Sequence, residues 1–544
     1  FKITFIISYC SVNFAGINVK FFTDDQGLYA SLSKNLLYRK EFFELFTYNQ
    51  DWLDKPHFPF WTVLLSFKIF GVSVWAYRLP ALLFFLLSLF YTYLFSKKYY
   101  GVQVAWIAVL ILATSQNVIM LNTDVRAEPY LMALVIGSIY HISRLEERFT
   151  FPDFVLAALL TACAIMTKGI FVIVAIYGAL FGQLLFQEKY RAMFQFKWLL
   201  LVLLTLFFTI PEFYALYIQF DLHPEKTVFY TQHVSGIKWF LWESQFGRFL
   251  NNAAIKQNNT SGSIIFFVHT LLWAFAPWCL LFYYAIYRNI KEIWLKHKLV
   301  EYYTISGGLL LLLLFSLSRF QLPFYTNTIF PLFAIVTAPF CVKQLTRFGT
   351  IYRLTGFWLY TISFIAAILV MNYFLAPDQA KWFIIDCIVF GLVAILIIFK
   401  VDKSYSKAFL LACTAVLFAN FYLNAVLYNI VTSYNGEIKA ADYLNRPAFD
   451  DIHIYTLKTE NNIFQFYSKK QIGYIPISSF DTFVAPANSV FYANHKSIDT
   501  LLKNHANFKV LKAFETYPRE GILPAFINKA TRNKVLDSVY LISK

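Results

Sequence analysis

Long apolar stretches, separated by short polar segments, occupy residues 1–431 of the chain. A membrane-spanning helix needs about 20 predominantly apolar residues, and by that criterion about thirteen windows predict spanning helices. The stretch 153–187 would measure about 52 Å as one helix, too long for a bilayer, so we expect it to break at Thr167-Lys168-Gly169. The windows are 1–20, 75–96, 102–121, 127–143, 153–167, 168–187, 197–219, 263–287, 302–319, 324–342, 354–375, 382–399 and 408–431.

The pattern changes after residue 431. Two short runs of strand-like composition, 452–456 and 489–493, lie between polar segments, and 497–503 predicts a helix. We therefore predict a membrane domain over residues 1–431 and a small α/β domain of about a hundred residues over 432–544. The expected fold class is an all-α polytopic membrane protein with a small C-terminal α/β soluble domain.

Composition supports the membrane class. The 544 residues are 58% hydrophobic and 14% charged, whereas soluble domains carry about 25% charged residues. The six cysteines lie in or beside apolar runs and form no C-x-x-C pair, which argues against a disulfide framework or a thiolate metal site. The net charge of +16 is spread through the gaps between apolar runs. Nucleic-acid binding, which needs a basic face, is therefore not expected.

Basic residues are unevenly distributed between alternate loops. One set of short loops carries 17 lysines and arginines, and the opposite set carries four. Loops rich in lysine and arginine face the cytoplasm. We therefore expect the loops 23–74 and 220–262 and the C-terminal domain to be extracytoplasmic.

Charged and polar residues that are costly beside lipid collect at the outward ends of these predicted spans. Several cations and a few carboxylates at one membrane level suit an anionic ligand together with acid/base chemistry. The residues are Asp24, Asp25, Asp54, Lys55, Arg126, Glu128, Lys168, Arg248, Arg319 and Tyr325.

Each of these residues also has a structural interpretation. Asp24 could be the N-cap of the helix that follows it. Lys168 could be the last residue of a helix, with its ammonium reaching the interface. Arg126 and Glu128 could form a local ion pair, and Lys55 before a proline could mark an ordinary helix start. Their joint placement on one side favours a functional site.

The order of the polar motifs resembles that of a known family. TDDQGLYA, DWLDKPHFPFW, FGVSVWAYRLPAL, TDVRAEP, MTKG, WESQFGRF, APW and SLSRFQLPFYTNTIFP occur in this order within residues 20–345. They resemble the membrane glycosyltransferases of the GT-C class, and most of all the group that contains the lipid A aminoarabinose transferases, broader relatives of the protein O-mannosyltransferases. The first-loop D-x-x-x-Y followed by an acidic-Lys-Pro turn is the most specific part.

This resemblance implies a GT-C fold and a reaction on the outer side of a bacterial inner membrane. The donor would be a polyprenyl-phosphate sugar, and the acceptor would be lipid A, another glycolipid, a glycan or a protein. By position, Asp25 matches the catalytic loop aspartate, whose task is to take a proton from the acceptor hydroxyl. Glu128 matches a second acidic position in the site. Lys55, Lys168 and Arg248 match the positions that hold the lipid phosphate, and the further substrate-binding positions are Tyr29, Asp54, Arg126, Arg319 and Tyr325.

The chain departs from the family pattern at three positions. Gln26 stands where the family usually has glutamate, and Asp54 stands where it has glutamate before Lys-Pro. Ser244 occupies the place of a histidine. Some relatives coordinate zinc there, so no cofactor is expected with certainty and a divalent metal stays an open alternative.

Two other functions are consistent with a polytopic chain. A lipid-linked-sugar flippase or another transporter would typically show repeated halves with paired broken helices, but no half-repeat is visible and the polar residues lie on one side. A catalytically silent partner subunit would be expected to lack the first-loop carboxylate, and Asp25 is present. An enzyme is the favoured interpretation.

Overall fold

The computed structural model describes residues 2–255, 262–378, 380–458, 461–518 and 523–544. Residues 256–261 of the predicted 220–262 loop lie outside these ranges. The same holds for residue 1 of the first window and for 459–460 and 519–522 of the predicted C-terminal domain.

The predicted all-α membrane architecture is confirmed. Within the described ranges, seven helices are long and apolar enough to cross a membrane, and four shorter apolar helices accompany them. The helices of the first half are α1 (Lys2–Ile17), α2 (Asp24–Arg39), α3 (Phe58–Phe70), α4 (Val74–Ala113), α5 (Gln116–Thr123), α6 (Glu128–Glu147), α7 (Phe151–Lys168), α8 (Val172–Phe186), α9 (Tyr190–Met193), α10 (Phe196–Leu216) and α11 (Gly236–Lys238).

The second half of the bundle contains two long helices that expose many apolar side chains, Arg347–Leu375 and Lys381–Lys400, and a third, Ser404–Tyr422, that is mostly buried. The helices are α12 (Phe266–Ala274), α13 (Cys279–Trp294), α14 (Tyr303–Leu317), α15 (Phe330–Thr337), α16 (Pro339–Val342), α17 (Arg347–Leu375), α18 (Lys381–Lys400), α19 (Ser404–Tyr422) and α20 (Tyr428–Ser433). A 3-10 segment (Pro323–Ile329) precedes α15, and a π-helical segment (Trp239–Gly247) follows α11.

The structure tests the predicted helix breaks. The break in 153–187 is confirmed, because α7 ends at Lys168 and Gly169 adopts a positive φ of 107°. The windows 102–121 and 263–287 were wrong as continuous helices, since each is interrupted. Pro277, which has no N–H to donate, lies between α12 and α13. The two interruptions meet, and the Gln116 N–H donates to the Ala276 carbonyl over 3.0 Å.

The first loop, 23–74, contains regular secondary structure, although its hydropathy predicts no membrane-spanning helix there. It forms α2, a short hairpin of β1 (Phe46–Thr47) and β2 (Gln50–Asp51), and α3. The prediction that Asp24 caps its own helix was wrong. Helix α2 begins at Asp24, with Thr23 at the N-cap position, and the Asp24 carboxylate binds Asn462 in the C-terminal region.

A buried arginine fixes the helix ends beneath this loop. The Arg78 guanidinium is 0% exposed and donates to the carbonyls of Gly16, Ile17, Val19 and Thr123 over 2.5–3.2 Å. Carbonyls at a helix C-terminus have no partner within the helix. Arg78 therefore joins the ends of α1 and α5 to α4.

The C-terminal residues have the predicted α/β character. The strands are β3 (His453–Thr456), β4 (Ile472–Tyr474), β5 (Ser489–Asn494), β6 (Lys509–Thr516) and β7 (Asp537–Ser543), and the helices are α21 (Gly436–Leu444), α22 (Asn462–Tyr467), α23 (His495–Lys503) and α24 (Pro524–Ile527). The sheet has the order β4-β3-β5-β7-β6. Strand β3 runs parallel to β4 and β5, whereas β7 is antiparallel to β5 and β6.

Candidate active site

One end of the bundle gathers charged side chains from separate segments of the chain. They come from the start of α2, the turn before α3, the segment between α5 and α6, the start of α6, the end of α7 and the residue after the π-helical segment. Three ion pairs connect these segments.

The first ion pair joins Asp25 to Arg126. The Arg126 Nη1 lies 2.5 Å from Asp25 Oδ2, and the same guanidinium lies 3.3 Å from Asp124 Oδ2. The hydroxyl of Thr23 donates to the other oxygen of Asp124 over 2.8 Å. Burial lowers the pKa of Arg126, but the two carboxylates outweigh burial and raise it, so Arg126 remains a cation.

The second ion pair joins Lys168 to Glu128, and both side chains are nearly inaccessible, at 8% and 0% exposure. The Lys168 ammonium lies 4.1 Å from the ring centroid of Tyr325 and 5.4 Å from that of Phe324. Within the described ranges, Glu128 Oε2 is buried and has no hydrogen-bond donor. The Lys168 ammonium therefore fixes the Glu128 side chain through Oε1, and it donates no hydrogen bond to Oε2.

The third group is centred on Asp54. Its Oδ2 lies 2.7 Å from the Lys55 ammonium, and its Oδ1 pairs with Arg248. Burial lowers the pKa of Lys55 to about 8, although the negative charges of Asp25 and Glu128 oppose that shift. Burial also lowers the pKa of Arg248.

Tyr29 completes the cluster. Its ring lies edge-on to Phe60, with centroids 5.5 Å apart. Burial raises the pKa of the Tyr29 hydroxyl, and the nearby Asp25 carboxylate raises it further. The hydroxyl therefore stays protonated and keeps one proton to donate.

Most of the predicted site residues lie in this cluster. Arg319 is placed differently: its side chain is exposed just beyond α14, and its backbone N–H donates to the Phe249 carbonyl over 2.8 Å. The residues that the structure brings together are Asp25, Tyr29, Asp54, Lys55, Arg126, Glu128, Lys168, Arg248 and Tyr325.

Two of the structural alternatives were wrong. Arg126 does not pair with its neighbour Glu128 but with Asp25 and Asp124. Lys168 is the last residue of α7, yet its ammonium turns into the bundle instead of reaching the surface.

Sequence reasoning missed Gln26 as a supporting residue. Its side chain is 0% exposed; Oε1 accepts from the Phe22 N–H over 3.1 Å, and Nε2 donates to the Thr123 carbonyl over 2.8 Å. A glutamate could accept the first bond, but when ionised it could not donate the second. The departure from the family pattern at Gln26 therefore has a physical explanation.

Asp124 and Phe324 were also missed. Asp124 lies two residues before Arg126, and this spacing was its sequence signal. The Phe324 ring has its centroid 4.4 Å from the Arg126 guanidinium. An aromatic ring beside a cation stabilises it without neutralising it.

The position of the expected histidine does not fit a metal site. The Ser244 hydroxyl donates to the Phe240 carbonyl over 3.0 Å and accepts from Gln245 over 2.8 Å. His57 is buried against Glu212, with Nδ1 3.0 Å from Oε1. Across the part of the chain that the structure describes, no group of three or more His, Cys, Asp or Glu side chains could hold a metal ion.

Comparison with known proteins agrees with this architecture. The family model described as dolichyl-phosphate-mannose-protein mannosyltransferase matches residues 54–214. The crystal structure of ArnT from Cupriavidus metallidurans bound to undecaprenyl phosphate superposes with a TM-score of 0.74 at 15% identity, covering 99% of this chain and 97% of that one. The chain has the GT-C glycosyltransferase fold.

Two further comparisons are consistent with that fold. ArnT from the same organism in the apo state gives a TM-score of 0.72 at 15% identity over 94% of this chain and 95% of that one. An uncharacterized protein of Aquifex aeolicus (strain VF5) is 25% identical over 358 residues, 64% of this chain and 65% of that protein, so the chain spans just under two thirds of that relative's length. The predicted resemblance to the GT-C class is confirmed, and the protein is a multi-pass membrane protein.

Proposed function

We propose that this protein transfers a sugar from a polyprenyl-phosphate-linked donor to an acceptor on the outer face of a bacterial inner membrane. The observation that carries the proposal is the cluster in which Lys55, Lys168 and Arg248 lie near the half-exposed carboxylate of Asp25. Cations suit a phosphate leaving group, and an accessible carboxylate suits removal of a proton from the acceptor.

Asp25 is the general base in this proposal. Its side chain is 49% exposed, so an acceptor hydroxyl can reach it, whereas Glu128 is 0% exposed and held by Lys168. As the acceptor oxygen attacks the anomeric carbon, the bond to the phosphate breaks and the hydroxyl proton passes to Asp25. Arg126, bonded to the same carboxylate, orients it. Glu128 stabilises the positive charge of Lys168, with which it forms an ion pair.

Lys55 and Arg248 bind the donor phosphate in this proposal. Both contact one carboxylate, Asp54, so their charged groups lie close enough together to contact one anion. A guanidinium and an ammonium together can neutralise the charge that develops as the phosphate leaves. Tyr29 and Tyr325 line the sugar side, and the exposed Arg319 lies at the entrance.

The comparisons support the donor class. ArnT, which has the same fold, is described with undecaprenyl phosphate bound. The region matched by the mannosyltransferase family model, residues 54–214, contains Lys55, Arg126, Glu128 and Lys168. Transfer of a lipid-linked sugar is the reaction that fits both the fold and the charges.

The outward orientation rests on the 17-to-4 asymmetry of basic residues in the short loops. A cysteine introduced at Val484, which is 90% exposed in the C-terminal domain, should react with an impermeant thiol reagent before the inner membrane is opened. A cysteine at Phe194, 88% exposed in one of the basic loops, should react only afterwards. The reverse order would overturn the orientation.

The reaction is tested with the purified protein in liposomes. Undecaprenyl-phosphate sugars are supplied with candidate lipid, glycan and protein acceptors, and free undecaprenyl phosphate and glycosylated acceptor are measured. Acceptor-dependent release of both products is expected. Movement of the donor between leaflets without release would identify a transporter instead. Mass spectrometry of envelope lipids and glycoproteins from cells with and without the gene then identifies the acceptor.

A further inference from the structure

We propose that the C-terminal domain positions Asp25, and that Gly27 and Lys34 of α2 are the positioning residues through which it acts. Helix α2 carries Asp25 in its first turn and packs against α22 of the C-terminal domain. This inference rests on the proposed function, because it concerns the residue that takes the acceptor's proton.

The two helices approach so closely that only glycine fits between them. A Cβ added at Gly27 would lie 2.5 Å from the Ile463 backbone nitrogen and 2.6 Å from the carbonyl carbon of Asn462. One turn further along, the Ser31 hydroxyl donates to the Asn462 carbonyl over 3.2 Å. Because the nearest atoms are backbone, they cannot turn aside as a flexible side chain would.

A buried lysine holds the far end of α22. The Lys34 side chain is 6% exposed, and its ammonium donates to the carbonyls of Gln465, Phe466 and Ser468 over 3.2, 2.9 and 2.5 Å. Among the described residues, no carboxylate forms a salt bridge with it. Burial lowers the pKa of Lys34 to about 8. Its three donors are thus all used to bind the C-terminal domain, and it takes no part in a charge pair.

The near end of α22 is bound by the residue adjacent to Asp25. The Asp24 carboxylate accepts from the Asn462 backbone N–H over 2.9 Å and from its side-chain amide over 2.7 Å. Asp24 and Asp25 are neighbours, so the first turn of α2 is bound on one side by the C-terminal domain and on the other by Arg126. A shift of α22 would therefore move the Asp25 carboxylate.

The hairpin that follows α2 joins the same interface. Tyr48 is 1% exposed and belongs to the core of the C-terminal sheet, with Phe464, Ile472 and Tyr492. Its hydroxyl donates to the Asn461 carbonyl. Before α2, the hydroxyl of Tyr517 donates to the Phe22 carbonyl. Contacts on both sides of α2 in sequence thus make the first loop and the C-terminal domain one packed unit.

The test compares Gly27→Ala and Lys34→Met with two matched controls in the full-length protein. Gly391→Ala adds the same methyl group in α18, where a Cβ would meet nothing within 4 Å. Lys20→Met removes a lysine whose contact with the C-terminal domain, Asp442 at 3.7 Å, is exposed and lies outside α2. Backbone hydrogen exchange over residues 24–34 and the kinetics of sugar transfer are measured for all four variants.

We expect Gly27→Ala and Lys34→Met to raise hydrogen exchange in α2 and to lower kcat by about 10- to 100-fold, the loss typical of a misplaced catalytic group. The donor KM should change little, because Lys55 and Arg248 are untouched. Lys34→Arg, which keeps a cation among the three carbonyls, should recover part of kcat. The two controls should behave like the parent protein.

Two results would overturn the inference. One is unchanged hydrogen exchange in α2. The other is increased exchange with an unchanged kcat, which would leave the proposed reaction standing and show that Asp25 needs no support from the C-terminal domain. If the parent protein transferred no sugar from any donor, the proposed function would fail on its own, and the exchange of residues 24–34 would alone decide whether the domain holds α2.

Discussion

The ion pairs at the two ends of the helical bundle differ in how far apart their residues lie in sequence and in how deeply their side chains are buried. At the site end, ion pairs join residues far apart in sequence: Arg126 and Asp25 are separated by 101 positions, and Arg248 and Asp54 by 194. At the opposite end both kinds of pair occur: Lys189 and Glu146 are 43 positions apart, and Arg288 and Glu292 are four residues apart on one helix. A pair between distant segments depends on the whole fold, whereas a pair within one helix needs only that helix.

The site end also has the more deeply buried of two representative ion pairs. Lys168 and Glu128 are 8% and 0% exposed, whereas Arg288 and Glu292 are 34% and 32% exposed. Exposed pairs contribute about 0–1 kcal/mol, but removal of one partner of a buried pair leaves an uncompensated charge at a cost of about 3–5 kcal/mol. The opposite end also has buried carboxylates, but the cations that pair with Asp153 and Glu146 there, Arg144 and Lys189, are 48% and 51% exposed. The site end is therefore where single substitutions should matter most.

The largest effect is expected for Asp25→Asn. The amide keeps the size of the side chain but cannot accept the acceptor's proton, so kcat should fall by about 10²–10⁴-fold with little change in donor binding. Transfer from a purified donor measures it. Asp442→Asn, an exposed aspartate in the C-terminal domain, is the control. An Asp25→Asn protein with the parent's kcat would remove Asp25 from the mechanism, and Glu128 would become the candidate base.

The next effect is expected for Lys168→Met, which leaves Glu128 buried without its cation. The free energy of unfolding should fall by about 3–5 kcal/mol, measured by denaturation in detergent. Adding Glu128→Gln to Lys168→Met should recover much of that loss, because the uncompensated charge is then removed. Additive losses in the double variant would show that the two side chains do not interact as the structure indicates.

A smaller effect should appear as a pH dependence of donor binding. Burial lowers the pKa of Lys55 to about 8, so in the free protein its ammonium is protonated below that pH and neutral above it. A bound phosphate favours the protonated form, and donor affinity should therefore be constant below pH 8 and fall as the pH rises through it. The full loss would be about 1.5–3 kcal/mol, the contribution of a charge-assisted contact.

Lys55→Arg is the matched control for this pH dependence, because a guanidinium stays protonated throughout the range. In that variant the fall above pH 8 should disappear. Persistence of the same fall would assign the titration to another group and exclude Lys55 from the phosphate contact.

The smallest effect is expected at the opposite end of the bundle. Arg288→Gln breaks a partly exposed i, i+4 pair, and the free energy of unfolding should change by about 0.5 kcal/mol or less, with kcat unchanged. A loss as large as that of Lys168→Met would contradict the difference between the two ends.

Part of this structure could be predicted from the sequence. The break at Lys168-Gly169 follows from the length of the apolar run, and the strands at 453–456 and 489–494 follow from their composition. The gathering of the charged residues at one end of the bundle followed from loop alternation, which predicts the side of the membrane, and from the motif order, which carries the family resemblance.

The pairing within the site could not be predicted. Arg126 and Glu128 look like natural partners in sequence, but α6 begins at Glu128 and directs it toward Lys168 on α7. Likewise, the local sequence indicates a helix cap at Asp24. Its actual partner, Asn462, lies 438 positions away and cannot be recognised from the local sequence. Hydropathy predicts how deep a residue lies in the membrane. It does not predict which distant segments come into contact, because those contacts depend on the packed fold.

The burial of Tyr48 in the core of the C-terminal sheet has a consequence for biosynthesis. The chain is made from its N-terminus, and 413 positions separate Tyr48 from the Asn461 carbonyl that it binds. At about 5–20 residues per second, the ribosome needs roughly 20–80 s to reach that partner. Throughout this interval the loop that carries Asp25 lacks the surface that supports it. The first loop should thus reach its final packing only after residues 432–544 have been translated and folded.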